Sequence, residues 1–225
     1  MSGREDGDAR TGRLHFHQRI DSLRRAGVAI GHEVGRSIAE ATEAWLRRDC
    51  DGGARIDART AGWSARARDV ELAVYELIAT QQPMASDLRH LVAVVRLTEA
   101  VSRSGDLVAH IARSACFDRE PDAFSPGLRS LVVEMATVAA SQFGAALSAF
   151  EAEDAEAGRK AASSDDNLDL LQHELFAMLL TGSVDTAPAI DLALLGRFYE
   201  RLGDHAVEIA RRVSFMSDND HHAGA

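Results

Sequence analysis

The chain has 225 residues, 46% of them hydrophobic and 5% aromatic, which is enough to bury a core in one large domain or two small ones. A formal net charge of −10 argues against general nucleic-acid binding, which needs Lys and Arg to displace counterions. Neither a leader-type apolar segment nor an unbroken apolar run of bilayer length is visible, so no signal peptide and no membrane span are expected. Cys50 and Cys116 are far apart and fit no metal or redox spacing. They read as reduced thiols of a cytosolic chain.

All four prolines, Pro83, Pro121, Pro126 and Pro188, fall at connections, and the long segments between them carry none. Alternating β patterns are absent. That is the distribution a helical bundle needs. The first helix is expected from about Leu14 to Arg48, with Phe16, Ile20, Leu23, Ile30, Val34, Ile38 and Trp45 on one face and Asp51-Gly52-Gly53 ending it. A second runs roughly from Ala54 to Thr80. The turn around Pro83 opens a third, from about Met84 to Ser114. This third helix is apolar on two faces, one with Leu88, Leu91, Val92 and Val95, the other with Val94, Leu97 and Val101. One face can seal its own triplet. The other can seal a neighbouring triplet or a dimer contact.

Cys116 to Pro126 is a linker by composition. Ser125 and Pro126 make an N-cap and first-turn pair for a fourth helix reaching about Glu153. A fifth covers roughly Asp154 to Leu180 with a bend near Gly158, and a sixth covers about Ala187 to Met216. The expected fold is all-α, two tandem three-helix bundles at residues 13–118 and 126–216, with a linker at 119–125 and disordered tails at 1–12 and 217–225.

Helices three and six repeat one another. Ser102-Arg-Ser-Gly-Asp106 lies over Glu200-Arg-Leu-Gly-Asp204 at a constant offset of 98, which also matches Leu97 with Leu195 and Ile111 with Ile209. An internal repeat of helix triplets follows. On helix six, Leu195, Leu202, Ala206, Ile209 and Val213 form the core stripe, and Glu200 and Asp204 fall on the opposite face. Gly203, in the helix interior, costs about 1 kcal/mol relative to Ala. It either is a tolerated glycine or lets another helix or a bridging ligand come close.

A solvated acidic face accounts for Glu200 and Asp204. A second pair, Asp165 and Asp169 on helix five, suggests more. In an antiparallel hairpin, residues at one level share an index sum, and Asp165 with Asp204 and Asp169 with Glu200 both give 369. Four carboxylates at two matched levels repel unless protons, Arg197 and Arg201, or a hard cation neutralise them.

ERLGDHAVEIA, starting at Glu200, resembles the signature of the PhoU family of phosphate-transport accessory proteins. QQPMASDLR, from Gln81 to Arg89, resembles the segment opening that family's third helix. The opening LHFHQRIDSLRRAGVAIGHEV fits as well, so the likeness covers about Leu14 to Met216. The resemblance implies metal bound through paired acidic motifs. Carried onto this sequence, the ligands are Asp165, Asp169, Glu200 and Asp204, holding iron, zinc, manganese or magnesium. The first repeat departs from the pattern. Ser102 stands at the Glu position, and an index sum of 166 about Pro83 places Ser64 and Thr60 opposite Ser102 and Asp106. That site is expected to be lost or much weakened.

The resemblance further implies a cytoplasmic regulator of phosphate uptake and signalling. It would restrain an ABC phosphate transporter ATPase and a phosphate-sensing histidine kinase by contact, reach the membrane only through partners, and form a homodimer. No P-loop, no G-x-S-x-G and no Glu-x-x-His motif is present, so an enzyme is not expected. The alternatives are a metal-free helical scaffold, a divergent paralogue with a changed signal, or a metal-dependent hydrolase. His205 reads as a flank histidine bonded to a neighbouring acid, with a ligand role as the alternative, and Trp45, Trp63 and Phe143 read as core.

Overall fold

The computed structural model describes residues 2–117, 120, 124–163, 166–182 and 184–217, with the backbone alone for 2–12, 166 and 217. Among them the helices are α1 (Ser2–Arg47), α2 (Cys50–Gln81), α3 (Ala85–Arg113), a 3-10 turn (Ser114–Cys116), α4 (Pro126–Ala152), α5 (Ala155–Ala162), α6 (Asp166–Leu180) and α7 (Thr186–Ser217). No strand occurs among the described residues. The first three helices form one triplet, and α4, the α5/α6 pair and α7 form the second. Helix α1 packs against α4, and α3 packs against α7. The triplets thus share one continuous core, which includes the expected Trp45, Trp63 and Phe143.

Boundaries differ from the sequence reading where local chemistry overrides periodicity. Helix α1 begins at Ser2, so the backbone of residues 2–12 is helical, earlier than the expected start at about Leu14. The polar run there lacks proline and can extend a helix, and among the described side chains burial begins at Phe16. The tail from 218 onward lies outside the described residues. Asp51-Gly52-Gly53 does not end α1. Arg48 takes a left-handed conformation, φ 56°, and Asp49 caps α2 by accepting a hydrogen bond from Gly52 N at 2.8 Å. The glycines sit in the first turn of α2. A side chain at Gly52 would collide with the capping carboxylate, and one at Gly53 with the Ala112 carbonyl of α3.

The Ser125 cap is present, accepting from Leu128 N at 3.3 Å, with Pro126 at the helix start. The expected fifth helix is two. Asp154 caps α5 through Glu156 N and Ala157 N. That helix closes not near Gly158 but at Ser163, whose hydroxyl turns back to donate to the Lys160 carbonyl at 2.9 Å. Gly158 instead lets α5 approach α7, where a Cβ would come 3.0 Å from the Ala210 carbonyl oxygen.

Helix α4 is long and apolar enough to cross a bilayer by length and composition, a property that a count of unbroken apolar residues does not register. Its Leu128, Val132, Met135, Phe143, Leu147 and Phe150 are buried in the core. The expectation of separate reduced thiols is overturned: Cys50 and Cys116 are joined in a disulfide, Cα atoms 4.6 Å apart. Chain spacing carries no sign of this, because the hairpin of α2 and α3 returns the end of α3 to the start of α2.

The acidic face of the α6/α7 hairpin

Helices α6 and α7 pack against each other and bring part of the expected quartet together. Glu200 lies at the helix flank with its side chain 13% exposed, and Arg197 Nη1 sits 2.6 Å from its Oε2. Asp169 and Asp204 are exposed. Burial pushes the Glu200 carboxyl above its ordinary range, and the Asp204 and Asp169 charges push the same way against Arg197. The charges of Asp204, on the same helix, and Asp169, on α6, thus both reach Glu200. Asp165 lies outside the described residues. Among the described residues, no three His, Cys, Asp or Glu side chains gather around one point as a metal centre requires. The donor chemistry suits a hard cation, but the described carboxylates do not converge on a single position.

Gly203 is a packing glycine. A Cβ there would come 2.6 Å from Leu168 Cδ1 and 3.1 Å from Gln142 Oε1, so its absence lets α6 and α4 close on α7 beside the acids. Its counterpart at the offset of 98, Gly105, plays the same part against α2. A Cβ there would meet Trp63 Cε3 at 3.2 Å.

His205 differs from its expected role. It is buried, and its partner is the Ser104 hydroxyl of α3 at 3.0 Å, not an acid. Ser104 Oγ donates to the Ala100 carbonyl at 2.8 Å, so His205 donates from Nδ1. Burial, then Arg103 and Arg201, hold the imidazole down to about 4 against a weaker upward pull from Glu99. It stays neutral and pins α3 to α7. The Arg103–Glu208 pair at 2.7 Å spans the same seam.

In the first triplet, two hydroxyls meet at the equivalent place. Ser102 Oγ lies 3.3 Å from Ser64 Oγ, so the index sum of 166 identifies a real level. A groove of about 430 Å³ opens there between α2 and α3, lined by Ser64, Ser102, Arg103, Tyr75 and Val92 among others.

Sequence reasoning missed the buried polar contacts between the triplets. Trp45 Nε1 donates to Asp191 Oδ2 at 3.0 Å, and Thr42 Oγ1 meets Tyr199 Oη at 2.7 Å. Burial raises the Tyr199 phenol well above its usual range. An acid on the buried side of α7 was the one available signal.

Two helix triplets on a common core, with paired acids kept outside it, define an all-α tandem-repeat protein. The PhoU domain matches residues 28–115 and again 132–213, and the ends of the two matches differ by the same 98 residues. The chain belongs to the PhoU family. Phosphate-specific transport system accessory protein PhoU homolog 2 of Mycobacterium tuberculosis is 32% identical over 211 residues, 91% of this chain and 97% of that protein. PhoU homolog 1 of Mycobacterium leprae is 30% identical over 207 residues, 91% of this chain and 93% of that one. The crystal structure of PhoU from Pseudomonas aeruginosa shares the fold, with a TM-score of 0.82 over 90% of this chain and 98% of that one at 23% identity.

Proposed function

We propose that this chain is an accessory regulator of a phosphate-specific transport system, acting by protein contact and not by catalysis. The observation that carries the reading is the doubled PhoU domain, shared over nine-tenths of the chain with relatives named for that system. The partners are the ABC transporter ATPase and a phosphate-sensing histidine kinase, met at the cytoplasmic face of the membrane, with the chain acting as a homodimer. The rigid core shared by both triplets supplies a fixed surface for such contacts.

Asp165, Asp169, Glu200 and Asp204 would hold a cation, iron, zinc, manganese or magnesium. Burial raises the Glu200 carboxyl most, and the Asp204 and Asp169 charges add to it; that repulsive share, which a cation relieves, supports this part. When bound, a cation would supply charge neutralisation to these carboxylates. The test is capture of the transporter ATPase and the kinase from solubilised membranes by the full-length protein. Retention of both supports the reading. Retention of neither, with folded protein on the resin, rejects it.

A further inference from the structure

Cys50 and Cys116 stand apart from the acidic face, and the regulator reading makes no use of them. Cys50 opens α2, and Cys116 closes the 3-10 turn after α3. Their bond spans a sequence separation of 66 residues, nearly all of the α2/α3 hairpin, and both residues are exposed. Contacts that involve no sulfur hold the two ends together. Gly53 lets α2 lie directly on the Ala112 carbonyl. Arg113 Nη1 pairs with Asp57 Oδ1 at 2.6 Å, and the neighbouring Ile56 and Ala115 are buried. Packing alone therefore keeps the cysteines within bonding range. One of them sits at a helix N-terminus, which favours the thiolate.

We propose that Cys50 and Cys116 form a reversible redox modification site, a thiol–disulfide couple that exchanges with small-molecule disulfides and with a dithiol reductant. In oxidation, the Cys50 thiolate attacks one sulfur of a disulfide RSSR, expels RS⁻ and forms a mixed disulfide. The Cys116 thiolate then attacks the Cys50 sulfur and expels the second RS⁻. The two protein thiols give up two protons and two electrons, and RSSR becomes two RSH. A dithiol drives the reverse, ending as its own disulfide. Cys116 is the last residue of the first triplet before the connector to α4. That connector is anchored at its far end by Phe124, which stacks on Trp45 at 5.3 Å. Oxidation ties the near end of the connector to α2. Reduction leaves that end held by packing.

The proposal is independent of the phosphate reading, and its test needs no phosphate readout. Full-length protein is equilibrated in glutathione buffers of graded ratio, quenched by alkylation and weighed intact, with hydrogen exchange followed in parallel. The expected result is one intramolecular disulfide per chain that appears and disappears in a single reversible transition with helical signal unchanged. Exchange slows on oxidation in the first turn of α2, in the 3-10 turn and at Phe117. Cys50→Ser and Cys116→Ser each behave as the reduced protein. Free thiols persisting in excess glutathione disulfide would overturn it. So would a bond that dithiothreitol opens only on unfolding, disulfide-linked dimers in place of the internal bond, or identical exchange in both forms.

Discussion

Ser102 meets Ser64 across the α2/α3 hairpin at 3.3 Å, and at the offset of 98 from Ser102 stands Glu200, whose carboxyl is reached by the Asp169 charge of α6. The two hairpins are built alike, each with a glycine that lets its partner helix close in. Their polar faces have diverged, hydroxyls in the first and carboxylates in the second.

If carboxylates are what bind a cation, they can be removed from one hairpin and restored to the other. Glu200→Ala/Asp204→Ala is expected to lose the metal that protein purified without chelators carries, measured by mass spectrometry. Thr60→Asp/Ser64→Asp/Ser102→Glu, completing a quartet with Asp106, is expected to raise metal content toward twice the wild-type level. Metal unchanged in the first variant would show that the acids of α7 are a solvated face.

Glu200 should make the protein less stable in its charged form. Its folded carboxyl is raised, so the native state binds more protons than the unfolded one, and stability rises as pH falls through the folded value. Glu200→Gln is expected to raise Tm at neutral pH in metal-free protein. The gain should fade as pH falls into the ordinary carboxylate range. A variant less stable at neutral pH would mean that the Arg197 contact outweighs burial and repulsion.

His205 titrates with the opposite sign. Its folded imidazole is held down to about 4, so the unfolded state binds the extra proton. Stability is complete above the ordinary histidine range near 6.5 and is lost as pH falls from there to about 4. The loss amounts to roughly 3 kcal/mol at most, since one pKa unit is about 1.4 kcal/mol. Denaturant titrations of wild type and His205→Gln between these limits should diverge, the variant being the flatter.

Gly53→Ala places a methyl group against the Ala112 carbonyl, and backbone cannot yield as a side-chain tip can. Overpacking of this kind costs about 1–3 kcal/mol, more than the helix preference for alanine returns. Gly62 has open space where a Cβ would go, so Gly62→Ala is the control and should stabilise by about 1 kcal/mol. Equal Tm values for the two would dismiss the close approach of α2 to α3.

The repeat was legible because core spacing and the glycine-acid motif survive at one offset. The hairpin levels were legible because two antiparallel helices joined by a short loop keep a constant index sum, as the Ser64–Ser102 contact shows. The disulfide was not, since closure of Cys50 on Cys116 depends on where whole helices end. Nor was the Ser104 partner of His205, because a helical wheel places a flank residue without saying which helix covers it. The break at Ser163 was hidden by apolar spacing that continues on both sides.

The central claim is regulation of phosphate uptake, and radiolabelled phosphate uptake in cells lacking this chain tests it most directly. In phosphate-rich medium, loss of the chain is expected to release uptake from restraint. Restoring the wild-type chain should return uptake to its original level. Uptake that is the same with and without the chain, at both high and low phosphate, would contradict the account.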